Sequence, residues 1–292
     1  MNKRGNIVLV TGAGGQLGQD FRVLASDQPD LVFHFATREE LDIANEEQII
    51  NFVKALKPAF IVNCAAYTNV EKAEEDRENN FVVNATAAGS LAKAAKAVDA
   101  ILIHISTDYV FDGKKSTPYS EQDHTHPLNE YGRAKEAGEK NIQNSNEEYY
   151  IFRTSWLYST FGHNFFKTMM RLSSERDKLT VVNDQFASPT YARRLAQDIN
   201  RMIIRLKNGE EIPFGIYNYT HTGTASWFDF TCAIIEAAGR ATQVEPVSSD
   251  MFPQKAERPS YSKLDTSKFE KNIGPTIHWK EALQECFKDL QS

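Results

Sequence analysis

Residues 6–18 read NIVLVTGAGGQLG, a short apolar run followed at once by a glycine-rich turn and the start of a helical pattern. Such a turn needs residues without a Cβ, because the chain reverses sharply, the helix packs closely on the strand and main-chain N–H groups must approach an anion. A strand, this turn and a helix in succession predict a site for the pyrophosphate of a dinucleotide. To that site we assign Gly12, Gly15, Gln16, Leu17 and Gly18.

Short apolar runs alternate with helical patterns from residue 6 to about residue 206. The runs typical of buried strands lie at 6–10, 31–36, 60–63, 101–106, 149–153 and 179–182. Helical patterns lie between them at 46–56, 85–98, 131–141 and 192–206. This alternation predicts an α/β fold with a Rossmann-type, doubly wound parallel sheet.

The pattern becomes irregular beyond residue 210. Six of the ten prolines follow residue 188, and helix signals are isolated at 226–238 and 279–290. We therefore expect a dinucleotide-binding domain over residues 1–155, which also receives part of 178–220. Residues 156–292 are expected to form mainly a smaller, C-terminal substrate-binding lobe.

Composition narrows the class of protein. The 292 residues carry 33 basic and 39 acidic side chains, a net charge of −6, which argues against a chain that coats nucleic acid. The three cysteines lie far apart and suggest neither a disulfide framework nor a zinc site. No apolar run approaches the roughly 20 residues that span a bilayer. We expect a cytoplasmic protein with no membrane or nucleic-acid partner.

The end of the second predicted strand bears on the choice of cofactor. Where an acidic residue would hold the ribose hydroxyls of NAD, the sequence reads Ala36-Thr37-Arg38. A small residue followed by an arginine suits a 2′-phosphate better than a free hydroxyl. NADPH is therefore the expected cofactor, with NADH left open. Thr37 and Arg38 are assigned to it, together with Asp42 and Ile43.

A catalytic group is predicted beyond the fourth strand. Thr107 closes that strand, and Tyr131 and Lys135 follow at the head of a helix, four residues apart and so on one face. An ammonium near a phenol is expected to lower the pKa of Tyr131 towards neutral pH and suit it to protonate a reduced ketone. Thr107 is placed to hydrogen-bond the same carbonyl oxygen.

In the glycine turn and in Thr107, Tyr131 and Lys135, the chain resembles the extended short-chain dehydrogenase/reductase superfamily, and more closely its dTDP-4-dehydrorhamnose reductases. The narrower motifs are STDYVF, the run DQFASPT and the late segment RPSYSKLD. The resemblance implies reduction of the 4-keto group of dTDP-4-dehydro-L-rhamnose by NAD(P)H, to give dTDP-L-rhamnose. It makes Tyr131 the proton donor, Lys135 the residue that holds the nicotinamide ribose, and Thr107 the third member.

The same resemblance implies further contacts in the site. Ala65, Ala66 and Tyr67 are expected beside the cofactor, and Asn84 matches a helix asparagine found behind the site in relatives. Substrate contacts are expected from Asp108, Trp156, Asn164, Gln185 and Arg258, the last as a bidentate clamp on a diphosphate. For Asn164 and Gln185 a purely structural hydrogen bond stays an equal alternative.

Other functions stay open. Dehydratases of the superfamily carry Thr-Asp-Glu where this chain has Tyr109 in the third position, which disfavours elimination of water. An epimerase or a reductase of another nucleotide sugar is not excluded, nor is a non-catalytic regulatory subunit of a methionine adenosyltransferase. We expect no metal, since the stretch 189–194 has arginines where some relatives hold a metal with glutamates, and a monomer or homodimer.

Overall fold

The computed structural model describes residues 5–252 and 254–291. The strands are β1 (Ile7–Thr11), β2 (Val32–Ala36), β3 (Phe60–Asn63), β4 (Ile101–Thr107), β5 (Tyr149–Thr154), β6 (Leu157–Tyr158), β7 (Lys178–Val182), β8 (Phe186–Ala187), β9 (Thr190–Tyr191), β10 (Gly215–Asn218), β11 (Ala225–Ser226) and β12 (Gln243–Val247). The α-helices are α1 (Gln16–Ala25), α2 (Glu46–Leu56), α3 (Val70–Ala73), α4 (Arg77–Phe81), α5 (Ala87–Lys96), α6 (Glu130–Ser145), α7 (Phe165–Glu175), α8 (Ala192–Lys207), α9 (Trp227–Ala237), α10 (Ser267–Asn272) and α11 (Trp279–Gln291).

Six parallel strands form the central sheet in the order β10-β5-β4-β3-β1-β2. Alternate side chains of β1 enter two separate cores: Val8 and Val10 pack with α1 and α8, and Leu9 packs with α2 and α5. Strands buried on both faces must be apolar throughout, which explains the continuous runs in the sequence. The predicted Rossmann-type α/β fold with a doubly wound sheet is confirmed.

One predicted strand of the sheet was wrong. Residues 179–182 belong to β7, which among the described residues pairs with β12 alone and lies outside the central sheet. The sixth strand is β10, which pairs with β5. The burial of β7 alternates at its start, as in a half-buried strand, whereas β10 has only four residues and begins at Gly215, with φ 130°. So short a run has no clear pattern in the sequence.

A second cluster of apolar residues lies beyond the sheet. Helices α7 and α9 pack against β7, and α11 packs against α9 and β9, around side chains such as Phe166, Phe230 and Trp279. The predicted helix at 226–238 is present as α9, where Ser226 and Asp229 form a capping box and Gly239 follows the helix with φ 62°. The domain boundary at residue 155 stays a prediction.

Two further features bear on the site. The predicted helix at 85–98 begins with a π-helical turn over Val82–Thr86 that leads into α5. Short 3-10 turns cover Asp108–Val110 and Ser249–Met251. Within residues 5–252 and 254–291, no helix has the length and apolar character needed to cross a membrane.

Candidate active site

A cleft of about 810 Å³ lies at the carboxyl ends of β1, β3, β4 and β5. This volume falls within the roughly 300 to 1,000 Å³ of small-molecule sites. Most residues assigned from the sequence line it. They are Gly12, Gly15, Gln16, Leu17, Arg38, Asp42, Ile43, Ala65, Ala66, Tyr67, Thr107, Asp108, Tyr131, Lys135, Trp156, Asn164 and Arg258.

The glycine turn brings the amino end of α1 to the cleft. Gly15 is the N-cap, makes no side-chain capping bond, and the first turn of α1 holds no acidic residue. Its main-chain N–H groups are therefore suited to an anion. Gly12 has φ 64°, and a Cβ there would lie 2.6 Å from the backbone of Ala65. The turn fits the pyrophosphate of a dinucleotide.

Gly18 contributes differently from the prediction. It does not line the cleft; a Cβ on it would lie 2.5 Å from the carbonyl oxygen of Gly12, so its small size lets α1 pack against the turn. Gly14, which was not assigned, does line the cleft, and a Cβ there would meet nothing within 4 Å. The spacing of the glycines alone does not distinguish packing from contact with a ligand.

The end of β2 places a cation at the rim. Arg38 is 82% exposed and lies 3.8 Å from Asp42, a weak surface pair that leaves the guanidinium available to an anion. Thr37 does not line this cleft and instead faces a shallow neighbouring pocket beside Phe161. Of the two residues assigned to a 2′-phosphate, only Arg38 therefore reaches the main cleft.

The floor of the cleft holds the predicted catalytic group. Asn129 caps α6 by accepting from the N–H of Gly132 at 2.8 Å, which places Tyr131 in the first turn of the helix. The hydroxyl of Thr107 lies near enough to the phenol of Tyr131 to affect its pKa, and the ring of Tyr109 packs edge-on against the Tyr131 ring at 6.1 Å. The fourth strand and α6 thus bring Thr107 and Tyr131 together.

The expected effect of Lys135 on Tyr131 was wrong. Burial raises the pKa of Tyr131, and the neighbouring Thr107 hydroxyl offsets this only in part. Lys135 instead donates to the carbonyl oxygen of Ile105 at 2.6 Å, and its Nζ lies 3.2 Å from Nε2 of His104. Burial also lowers the pKa of Lys135 to about 8. Spacing of i and i+4 brings two residues to one face but does not direct the hydrogen bonds of a lysine.

Asp108 has a partner that the sequence did not identify. Its carboxylate accepts from Ser262 at 2.5 Å and from Thr107 at 3.1 Å. Burial is the main reason that the pKa of Asp108 rises to about 7, although both hydrogen bonds act to lower it. Ser262 lies in the segment RPSYSKLD, so the motif was visible in the sequence, but its partner was not.

Two indole rings form an aromatic wall. Trp156 and Trp227 stack at 3.6 Å with an interplanar angle of 11°, and both line the cleft. Trp156 has φ 47°, an unusual conformation for a large residue. Gln185 does not line the cleft: it lies behind the wall and accepts from Nε1 of Trp227 at 3.2 Å. Trp227 was not found from the sequence, because nothing local marks it.

Arg258 and Asn164, both predicted to contact the substrate, differ in how many of their hydrogen-bond donors are already paired within the protein. Arg258 donates to Glu71 at 3.0 Å, while its Nε is buried and has no partner among the described residues. The amide nitrogen of Asn164 donates to Gln16 at 2.8 Å and to the carbonyl oxygens of Ser159 and Phe161, and its oxygen caps α7. Arg258 has a free donor, whereas the Asn164 amide is already engaged.

Asn84 supports the loop after β3. It lies in the π-helical turn, accepts from the N–H of Tyr67 at 3.1 Å and donates to the carbonyl of the same residue at 2.9 Å. These two bonds fix Ala65, Ala66 and Tyr67 along the cleft. A π-helical turn is often found at a functional site, because it aims one side chain out of helical register.

Arginines of the stretch 189–194 are engaged within the chain. Arg193 donates to Asp20 at 2.6 Å, and Arg194 pairs with Glu285. Across the part of the chain that the structure describes, no group of three or more His, Cys, Asp or Glu side chains could hold a metal ion. The expectation of no metal stays a prediction.

Comparison with known proteins agrees with this geometry. Residues 6–292 match the model of a family described as the RmlD substrate binding domain. The chain belongs to this RmlD family. One relative is a dTDP-4-dehydrorhamnose reductase of Escherichia coli K12, 38% identical over 97% of this chain and 97% of its own length. The resemblance drawn from the sequence motifs is confirmed.

Two solved structures of the RmlD family have nearly the same fold. A dTDP-4-dehydrorhamnose reductase of Clostridium acetobutylicum superposes with a TM-score of 0.92 at 38% identity, covering 98% of this chain and 100% of that one. The enzyme of that name from Bacillus anthracis, in complex with NADP, has a TM-score of 0.91 at 38% identity, covering 98% and 99%. A relative at this identity therefore binds NADP.

Proposed function

We propose that this protein reduces the 4-keto group of dTDP-4-dehydro-L-rhamnose with NADPH and forms dTDP-L-rhamnose. Its relatives of the RmlD family are named dTDP-4-dehydrorhamnose reductases, and they are similar to this protein over nearly the whole chain. The observation that carries the proposal is that Thr107 and Tyr131 lie together on the floor of a cleft that opens at the uncapped end of α1. This arrangement supports a role for Tyr131 as the proton donor beside a dinucleotide site.

The cofactor site is proposed from residues along one side of the cleft. The N–H groups of Gln16 and Leu17 would hold the pyrophosphate, and Ala65, Ala66 and Tyr67 would lie along the dinucleotide. Arg38 would contact the 2′-phosphate, which favours NADPH over NADH as the cofactor. NADPH, when bound, supplies a hydride to the carbonyl carbon.

Tyr131 would supply the proton. Because burial raises its pKa, the phenol is protonated at neutral pH and is ready to donate to the carbonyl oxygen as that atom gains negative charge. The Thr107 hydroxyl would hydrogen-bond the same oxygen and stabilise the charge. Lys135, one turn further along α6, would hold the nicotinamide ribose. The reaction needs no acid and base pair of the kind that elimination of water requires.

The substrate would occupy the side of the cleft formed by the second lobe. The buried Nε of Arg258 has no partner among the described residues, so this guanidinium has a donor for the diphosphate. The wall of Trp156 and Trp227 offers apolar surface to the sugar or the base, and Asp108 would hydrogen-bond a sugar hydroxyl. Gln185 would act through Trp227 rather than by direct contact.

We further propose a cytoplasmic enzyme, a monomer or homodimer, that binds no nucleic acid. The three cysteines are free, as is usual in a reducing compartment. The net charge of −6 disfavours binding to a polyanion.

The proposal is tested by supplying dTDP-4-dehydro-L-rhamnose and NADPH to the purified protein. We expect NADPH to be oxidised in step with formation of dTDP-L-rhamnose, identified by NMR. An epimerised product without net oxidation would favour an epimerase. Association with a methionine adenosyltransferase and no oxidation with any keto sugar would favour the regulatory alternative. A UDP-linked keto sugar as competing substrate tests the nucleoside.

A further inference from the structure

A buried polar chain runs behind the floor of the cleft and ends at Lys135. Thr11 pairs in register with Asn63, and Asn63 with His104, on the neighbouring strands β1, β3 and β4. In a parallel sheet, residues at one register point to the same face, so the three side chains form a row. Each of these residues, and Lys135, is 1% exposed. Buried polar groups in such a row must satisfy one another.

The contacts along the row are continuous. Thr11 donates to Oδ1 of Asn63 at 2.6 Å, and Nδ2 of Asn63 lies 2.9 Å from Nδ1 of His104. Nε2 of His104 lies 3.2 Å from Nζ of Lys135, which also donates to the carbonyl oxygen of Ile105 at 2.6 Å. The imidazole therefore has one nitrogen towards the amide and the other towards the lysine.

The direction of these hydrogen bonds follows from one backbone group. The N–H of Ala65 approaches Oδ1 of Asn63 at 3.2 Å, and an N–H can only donate, so that end of the amide is the carbonyl oxygen. Nδ2 of Asn63 therefore donates to Nδ1 of His104, which must bear a lone pair. A neutral imidazole carries one proton, which then lies on Nε2 and points towards Lys135.

An ammonium has no lone pair to receive that proton, whereas an amine has one. We propose that His104 is a positioning residue whose fixed Nε2–H tautomer favours the amine form of Lys135 over its ammonium form. Burial acts in the same direction, because it lowers the pKa of Lys135 to about 8 and holds the pKa of His104 well below its ordinary value. The ring is therefore neutral at physiological pH, as the tautomer argument requires.

Other titratable groups contact the same region of α6. They are Asp108 and Tyr109 of the 3-10 turn, Arg153 of β5, and Tyr131 and Glu139 of α6 itself. Among them Glu139 favours the ammonium form of Lys135, but its carboxylate is already paired with Arg153 at 2.6 Å and accepts from Ser106 at 2.5 Å. His104 is the group that makes a direct contact with Nζ.

The consequence for the reaction rests on the proposed function. The proton that Tyr131 donates must be replaced from solvent; Lys135, one turn further along α6, would give a proton to the phenolate, and the resulting amine would be protonated again by a hydronium ion of the solvent. A lysine that releases its proton near neutral pH suits this exchange, because an acid is most effective when its pKa is near the working pH. The tautomer of His104 itself does not depend on that role.

The tautomer is tested by NMR of the full chain labelled with ¹⁵N-histidine. We expect His104, among the seven histidines, to show a protonated Nε2 and an unprotonated Nδ1. In Asn63→Asp the new carboxylate accepts from Nδ1–H, so the proton is expected to move from Nε2 to Nδ1. A wild-type ring protonated on Nδ1 would overturn the inference without any variant having to fold.

The effect on Lys135 is tested by titrating ¹³C-labelled lysine ε-carbons, with Lys135→Arg to assign the signal. In His104→Gln the side-chain oxygen can accept from the ammonium, so the titration of Lys135 should move upward by about one pH unit. Thr11→Val is the matched control: it removes one bond to Asn63 but leaves the bond from Ala65, so the titration should stay in place. An unmoved titration in His104→Gln contradicts the inference.

Activity separates this inference from the proposed function. The basic limb of the pH profile of kcat, expected near the pKa of about 8 for Lys135, should move upward in His104→Gln together with the NMR titration. A moved titration with an unmoved limb leaves the inference standing and contradicts the catalytic role of Lys135. A lower kcat at every pH, with neither the titration nor the limb moved, reduces His104 to a structural residue and overturns the inference.

Discussion

The glycine turn on the proposed cofactor side of the cleft is made from neighbouring residues, whereas the proposed substrate side is assembled from residues far apart in the chain. The turn from Gly12 to Leu17 brings the uncapped end of α1 to the cleft by backbone geometry alone. Across the cleft, Asp108 depends on Ser262, and Arg258 on Glu71, over separations of 154 and 187 residues. The geometry of the first side depends on free space near the main chain. The geometry of the second side depends on hydrogen bonds between side chains that are distant in the sequence.

The two sides should therefore respond differently to substitution. On the cofactor side, one added methyl group matters where the backbone lies close and is harmless where space is open. On the catalytic and substrate side, the loss of one polar atom should change protonation and turnover while cofactor binding remains. The four predictions below test this difference, in decreasing order of the expected change in free energy.

Tyr131→Phe tests the catalytic floor. Without the phenolic proton donor, kcat should fall by about two to four orders of magnitude, because general acid catalysis is lost, while the Kd for NADPH stays nearly unchanged. The measurements are steady-state kinetics and titration of the bound cofactor. Tyr109→Phe, on the ring that packs against Tyr131, is the control and should retain most of the turnover. Wild-type turnover in Tyr131→Phe would contradict the assignment.

Asp108→Asn tests the network with Ser262 through the pH dependence of stability. Folded Asp108 keeps its proton up to a pKa of about 7, against an ordinary value of 3.8, so between these values the native state binds more protons than the unfolded state. The free energy of unfolding should therefore fall as pH rises from 4 to 7. The asparagine side chain cannot ionise. The variant should therefore keep the free energy of unfolding, on the order of 3 kcal/mol, that the wild type loses between pH 4 and 7.

Urea unfolding at several pH values measures this difference. The exposed Asp27→Asn is the control and should follow the wild type throughout. If the free energy of unfolding changed with pH in the same way for Asp108→Asn and wild type, burial of this carboxyl group would have little effect on its ionisation. The expected difference between the two sides of the cleft would then be smaller.

Gly12→Ala tests the backbone contact on the cofactor side. A Cβ there would lie 2.6 Å from the backbone of Ala65 at a φ of 64°, so the variant should lose about 2 kcal/mol of stability and bind NADPH more weakly. Gly14→Ala is the matched control for stability, since its Cβ meets nothing within 4 Å. Equal stability losses in the two variants, measured by urea unfolding, would show that the close approach at Gly12 is not the cause.

Arg38→Ala tests the rim of the cofactor side. Loss of the guanidinium should weaken NADPH by about tenfold and leave NADH nearly unaffected, a change of roughly 1.4 kcal/mol expected for one charged hydrogen bond at an exposed site. Titration with each cofactor measures the ratio, and Arg171→Ala, on a surface pair of α7, is the control. Equal weakening of both cofactors would show that Arg38 does not recognise the phosphate.

Local sequence patterns predicted most of the elements because each pattern is itself a physical requirement. Helix α2 was predicted at its observed bounds from its helical pattern, and the structure shows that Asn45 caps it. The prediction failed at the sixth strand, where the four residues of β10 carry no period, and membership of a sheet depends on which strand lies alongside. Register between distant strands is not a local property.

The site divides in the same way. Gly12, Gly15, Thr107, Tyr131 and Lys135 were predicted from the sequence and line the cleft, because a sharp turn, a strand end and a helix face each follow from neighbouring residues. The effect of Lys135 on Tyr131 was wrong, since the hydrogen bonds to Ile105 and His104 are settled by packing. Trp227 carries no local signal and was missed, and the motif that contains Ser262 was noted without its partner Asp108.

The sequence by itself determined the α/β class, the glycine turn and which side chains we propose as catalytic, because these follow from residue type and from spacing within one or two turns of chain. Only the tertiary structure decided which hydrogen bonds those side chains make, and hence their protonation. That outcome depends on burial and on partners contributed by other strands, as for Asp108 with Ser262 and Lys135 with His104. Neither the burial of a side chain nor its distant hydrogen-bond partner can be predicted from a local sequence pattern.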